Sequence, residues 1–149
     1  MIDGLKVKPL KIIPDDRGNL MEIFRADDCM FSQFGQVYFT TAYPGVVKAW
    51  HYHKLQDDNF TCVVGRIKLG LYDARENSPT KGQTDIFYLS LKEPKLVHIP
   101  KGVYHGFKCV SQEEAMVINT VTRPYDHKNP DEYRVDASDP TINFNWKED

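Results

Sequence analysis

The stretch GVVKAWHYHKLQDDNFTCVVG, Gly45 to Gly65, sets two histidines and two aspartates inside a run that otherwise reads as sheet. His51 and His53 are two residues apart, and on a strand positions i and i+2 project to the same face. Strand signals continue outward on both sides. The segments QVYFTTAY, NFTCVVGRIKLGLYDA, TDIFYLSL, KLVHIP, HGFKCV and AMVINTV are rich in Val, Ile, Thr, Tyr and Phe. The clusters YPG, RENSPTKGQ, KEPK, PKG and SQEE separate them as turns. In RIKLGLYDA the alternation puts Ile67, Leu69 and Leu71 on one face, the pattern of a strand with one buried side. Only DDCMFSQF suggests helix, one or two turns capped by Asp27 or Asp28. Many short strands with regular turns predict an all-β sandwich or barrel, whose mouth or interior can hold a ligand.

A chain of 149 residues is the size of one domain. At that length folding buries about 68–70% of the unfolded surface, so neither disulfides nor a structural metal are needed for stability. A formal charge of -2 argues against nucleic-acid binding. No apolar run is long enough for a membrane span, and MIDGLKVKPLKIIPDD has neither the apolar core nor the cleavage site of a signal peptide. Cys29, Cys62 and Cys109 are odd in number and form no CxxC pair, so they are expected to be buried reduced thiols in a cytoplasmic protein.

His105 follows IPKGVYH, where Pro100 and Gly102 mark a turn feeding a strand. If two sheets close on each other, His105 can meet His51 across the interior, and Asp58 sits across a short loop from His53. The spacing from Gly45 through His51, His53 and Asp58 to Gly65 resembles the first motif of the cupin superfamily, with Asp where Glu is usual. PKGVYH resembles the core of the second. The fold that this resemblance implies is a cupin jelly-roll barrel, a double-stranded β-helix. Three imidazoles and a carboxylate also suit a divalent transition metal, so His51, His53, Asp58 and His105 form an alternative metal-ligand set.

Longer matches are more particular. DDRGNLMEIF, GVVKAWHY, LYDARENSPTKG, IPKGVYHGF and TRPYDHKNPDEYRVDASDPTINFNW resemble, in order and over nearly the whole chain, segments of the dTDP-4-dehydrorhamnose 3,5-epimerase family. That resemblance implies a single cupin domain over residues 1–149, a homodimer that exchanges its N-terminal segment, and a nucleotide-sugar substrate. It makes His51 the base, Tyr125 the acid on the other face of the sugar, and His105 a donor to the enolate. Arg17, Glu22 and Gln36 fall at substrate-binding positions, and Lys48 and Arg75 would add positive charge near the ligand. An epimerisation beside a ketone needs such a base and acid and no cofactor.

The chain also departs from the family pattern. The aspartate that pairs with the family's base lies beyond the final Trp segment, whereas this chain ends three residues after Trp146. Asp58 falls at or near a lysine that contacts the sugar. Lys48 replaces an arginine, His53 replaces a glutamine, and Tyr38 and Phe39 replace an asparagine and a histidine. The expected function is epimerisation of a 4-keto-6-deoxy hexose on a nucleoside diphosphate. The alternatives are a metal-dependent cupin and a non-catalytic sugar-nucleotide-binding cupin.

Overall fold

The β-branched and aromatic runs form strands where their composition places them. The computed structural model describes residues 1–148. Its strands are β1 (Lys6–Pro9), β2 (Ile12–Asp15), β3 (Gly18–Met21), β4 (Gln36–Ala42), β5 (Val47–Tyr52), β6 (Asp58–Val64), β7 (Arg66–Asp73), β8 (Thr84–Ser90), β9 (Lys95–Ile99), β10 (Val103–Cys109), β11 (Ala115–Val121) and β12 (Tyr133–Arg134). Two five-stranded antiparallel sheets result. Sheet I runs β1-β9-β6-β11-β4 and sheet II runs β12-β5-β10-β7-β8. The β2–β3 hairpin is a separate two-stranded sheet. This is the all-β cupin architecture expected from the sequence.

Gly65 is where the chain leaves one sheet for the other. It divides NFTCVVGRIKLGLYDA into β6 of sheet I and β7 of sheet II. Its φ of 67° is a left-handed conformation open to glycine, and a Cβ there would lie 2.6 Å from Ser111 Oγ.

Ile67, Leu69 and Leu71 are fully buried in the main core with Leu89, Val97 and Val117. Each such side chain contributes about 1.5–3 kcal/mol by leaving water. The other face of β7 is covered too. Lys68 is only 2% exposed, and its ammonium donates to the carbonyls of Asn145 and Glu148. The C-terminal segment thus lies across the outside of sheet II. Ile142 and Trp146 form a second apolar cluster there with Trp50 of β5.

Two expectations are corrected. DDCMFSQF is not helical: Asp28 accepts from the Arg25 amide and the Lys8 ammonium, and the chain makes successive turns. A local carboxylate-to-backbone bond offers the chain an alternative to a helix. Cys62 and Cys109 are buried, but Cys29 is exposed.

Candidate active site

The inward faces of the two sheets leave a cavity of about 960 Å³. Phe60 and Phe107 belong to both the core and the cavity wall, so the cavity opens directly above packed apolar side chains. His51, His53, His105, Gln36, Lys48 and Tyr125 all line it.

His51 and His105 come from one wall, not from opposite ones. β10 pairs with β5 in the register His105↔His51, and the two rings stand 6.5 Å apart. The expectation of a meeting across the interior fails because these strands are hydrogen-bonded neighbours in sheet II.

The opposite wall belongs to sheet I. Tyr38 of β4 is paired with Asn119 of β11, and Asn119 with Phe60 of β6. Asn119 is fully buried. One N–H of its amide goes to the Tyr38 hydroxyl at 2.8 Å, the other to Asp58 Oδ2 at 3.0 Å. Its carbonyl oxygen accepts the Asn59 amide at 3.0 Å.

Asp58 forms the polar floor. It is 1% exposed. Oδ2 also faces His53 Nε2 at 3.4 Å and His105 Nε2 at 3.3 Å, and Gln56 donates to Oδ1 at 2.9 Å. Burial alone would raise this carboxyl's pKa. Hydrogen bonds from His105 and His53 outweigh it and hold the group well below the usual carboxylate range. Burial likewise opposes charge on His53, but Asp58 on one nitrogen and the Asp131 carbonyl on the other raise its pKa.

The four-residue metal set expected from the sequence is not assembled. Among the described residues, His53, Asp58 and His105 each bring a ligand atom within 4.8 Å of the others, and His51 is not in the group. Asp58 is already committed to two amide donors as well as to the imidazoles, the pattern of a hydrogen-bonded network.

His51 instead turns Nδ1 to Glu132 Oε1 at 3.3 Å. Arg134 grips the same oxygen through Nε at 3.2 Å and a terminal nitrogen at 2.9 Å. The two-residue strand β12 pairs Arg134 with His51 and Tyr133 with Tyr52, which brings Glu132 to the ring. Burial first, then the charge of His105, pushes the His51 pKa down, and Glu132 pulls against both. Sequence reasoning missed Glu132, because DEYRV carries no strand pattern.

The remaining expected residues divide. The Gln36 side-chain oxygen accepts the Tyr125 amide at 2.6 Å, so Gln36 fixes the loop that carries the phenol. Tyr125 is 45% exposed and packs edge-on against His127. Lys48 donates to Thr40 Oγ1 across the cavity. Arg75 is not brought to the cavity; it pairs with Asp73 at 2.8 Å and donates to the Asp3 carbonyl. Arg17 and Glu22 also lie outside this chain's cavity lining, where they pair with Asp15 and Arg25.

The chain resembles known proteins over its whole length. The family model for dTDP-4-dehydrorhamnose 3,5-epimerase matches residues 1–149. The spore coat polysaccharide biosynthesis protein SpsL of Bacillus subtilis is 44% identical over 146 residues, which cover 98% of this chain and 97% of that one. The structure of the dTDP sugar isomerase of Desulfovibrio desulfuricans G20 matches with a TM-score of 0.92 and 34% identity, over 97% of this chain and 92% of that one. The Legionella pneumophila epimerase RmlC, solved in complex with dTDP-4-keto-L-rhamnose, matches with a TM-score of 0.86 and 29% identity, over 98% and 80% of the two chains. With a cupin barrel, an imidazole backed by a carboxylate and phenols lining the same cavity, the chain belongs to the dTDP-4-dehydrorhamnose 3,5-epimerase family.

Proposed function

We propose that this enzyme epimerises a nucleoside-diphosphate-linked 4-keto-6-deoxy hexose at a carbon beside the ketone, in the synthesis of a surface polysaccharide or an antibiotic sugar. The observation that carries this reading is His51, which lines a cavity of sugar-nucleotide size with one nitrogen on Glu132. With Nδ1 held by the carboxylate, Nε2 is left as the basic atom. The lowered pKa keeps the ring neutral near pH 7, the form that accepts a proton.

Removal of the proton leaves an enolate, and return of a proton on the other face completes the inversion. That return calls for a phenol across the cavity. Tyr125, expected from the resemblance, and Tyr38 both line it. His105 acts on the cavity charge through Asp58: its nitrogens face Asp58 Oδ2 and the Val103 carbonyl, each at 3.3 Å. Lys48 and Arg123 are cations of the lining available to a diphosphate. The proton transfers involve no redox step, and this reading calls for no cofactor.

The working unit on this reading is a homodimer in which Arg17 and Glu22 reach the partner's cavity. No helix of the described residues is long and apolar enough to cross a membrane. We place the enzyme in the cytoplasm, which fits its unpaired cysteines.

The test is solvent exchange in deuterated water with dTDP-, GDP- and CDP-linked 4-keto-6-deoxy hexoses. Deuterium should enter at a carbon flanking the ketone, and His51→Ala should slow its entry by about 10²–10⁴-fold. No exchange with any nucleotide form rejects the reading. Tight binding of the sugar nucleotide without exchange would identify a binding protein instead.

A further inference from the structure

We propose that Asp131 is a positioning residue for the base: it ties the connection between β11 and β12 to the turn after β5, so that its neighbour Glu132 stays on His51. The proposal rests on the epimerase reading above and deepens it.

Glu132 is held from its C-terminal side by β12. That strand pairs with β5, and Trp50 and Val135 exchange backbone bonds of 3.0 and 3.1 Å. On the N-terminal side residues 123–130 are all exposed, and the Gln36 side chain holds that stretch at the Tyr125 amide. Asp131 stands between the exposed stretch and Glu132. Its Oδ1 accepts the Lys54 amide at 2.9 Å, and Oδ2 accepts the amides of Leu55 and Gln56 at 2.8 and 3.2 Å. Its carbonyl faces His53 Nδ1 at 2.5 Å, and since a carbonyl only accepts, that nitrogen carries a proton. One residue thus bonds four consecutive residues of the turn, 53–56.

These bonds are of the kind that fix a position. Three successive N–H groups converging on one carboxylate form an anion nest, and bonds to a charged acceptor are stronger than their neutral counterparts. The contact they protect has no slack. At 3.3 Å, His51 to Glu132 is already past the usual range of about 2.7–3.2 Å for an N–H···O bond. A shift of Asp131 carries Glu132 with it, because the two are adjacent in the chain. The same turn supplies Gln56, which donates to Asp58, and follows directly on His53, which faces Asp58. Asp131 therefore joins the two polar assemblies of the cavity: the His51–Glu132 pair, and Asp58 with its imidazoles.

No bond of the substrate is made or broken at Asp131; proton removal stays with His51. The charged groups that act on the His51 ring are His105 of β10, Glu132 beside β12 and Arg134 on it. His105 and Arg134 oppose a charge on the ring, and Glu132 favours one. The Asp131 carboxylate is bonded to the turn amides. Its loss therefore reaches the base through Glu132: with that carboxylate displaced, the imidazole loses its orientation and the one group that favours its protonation.

Asp131→Ala is tested with and without turnover. NMR titration of the His51 ring needs no substrate: its pKa should fall, as it should in Glu132→Gln, and an unmoved pKa overturns the proposal. With a dTDP-linked 4-keto-6-deoxy hexose in deuterated water, kcat for exchange should fall by about 10-fold while KM stays within about 3-fold of wild type. The acid limb of kcat/KM should move to lower pH. Added to Glu132→Gln, the same substitution should lower kcat by less than about 3-fold more, because the two residues act as one unit. Losses that multiply overturn the proposal. So does a raised KM with unchanged kcat, which would make Asp131 a substrate contact. Asp131→Asn keeps one acceptor oxygen and should fall between wild type and Asp131→Ala in both readouts. It also serves if the alanine variant does not fold, and a wild-type titration and rate in it would then count against Asp131. Wild-type protein that exchanges with no nucleotide form would bring down the epimerase reading itself, and the NMR titration would still decide whether Asp131 holds Glu132 on His51.

Discussion

His51 can serve as a base only when it is neutral and correctly turned, and its surroundings supply these conditions separately. Burial and His105 lower its pKa, and Glu132 fixes Nδ1. Glu132→Gln keeps a hydrogen-bonding group but removes the charge that favours imidazolium. The expected outcome is a kcat lowered by about 10- to 100-fold with KM little changed, since orientation is part of what a positioned base contributes. The acid limb of kcat/KM should also move to lower pH, because the group that raised the His51 pKa is gone. An acid limb that stays in place would show that Glu132 does not touch the base in solution. Asp58 calls for a different test. Removing one partner from a buried charge pair costs about 3–5 kcal/mol, so Asp58→Asn should show that loss in urea unfolding. The sign with pH follows from the shifts. His53, raised above 6.5, contributes fully below that value and loses its contribution as pH rises through its folded pKa. Asp58, lowered below 3.8, contributes above that value and loses its contribution as pH falls through its folded pKa. The stability gap between wild type and variant should therefore be widest between about pH 4 and 6.5.

Strands with a strong apolar pattern were legible in the sequence, and the elements without one were not. β9 and β11 follow from β-branched runs, and β6 and β7 from a single such run that the structure divides at Gly65. The covering of β7's second face was hidden, because Lys68 reads as an outward-facing charge until the carbonyls of Asn145 and Glu148 meet its ammonium. β12 is two residues of an acidic and basic stretch, held only by pairing to β5, so the carboxylate it delivers to His51 could not be read locally. His51, His105, Gln36 and Lys48 were placed at the cavity by motif spacing, whereas Arg75 was drawn away by Asp73. One element-level test concerns the seam between β5 and β10, where the register shifts between His105 and Phe107. A Cβ on Gly106 would lie 2.3 Å from Ala49 Cβ and 2.9 Å from the Lys48 carbonyl. Backbone cannot yield there without parting the two strands that carry His51 and His105. Gly106→Ala is expected to cost about 1–3 kcal/mol in thermal or urea unfolding and to slow exchange. Wild-type stability and exchange in this variant would show that the seam is looser than the contact distances imply.

At the scale of the whole molecule, one chain leaves apolar surface and strand edge without cover. β4 is an edge of sheet I, and Val37 and Phe39 on it are 53% and 64% exposed. The β2–β3 hairpin pairs with neither large sheet, and its cross-strand neighbours Ile13 and Leu20 are 48% and 58% exposed. A free two-stranded hairpin is marginal in water, and an open apolar edge invites pairing with another chain. A second copy of the chain would relieve both, and would carry Arg17 on the hairpin turn towards the neighbouring cavity. The expected mass in solution is that of a dimer, by light scattering. Ile13→Lys combined with Leu20→Lys puts like charges across the hairpin without touching Tyr38, His51 or Glu132, and should yield monomer. If Arg17 grips the diphosphate in the partner's cavity, that monomer should show a raised KM and a much smaller change in kcat, because His51 and Tyr125 line the cavity of one chain. A dimer that survives the double substitution would place the interface elsewhere. A monomer with unchanged KM would remove Arg17 from the substrate-binding set.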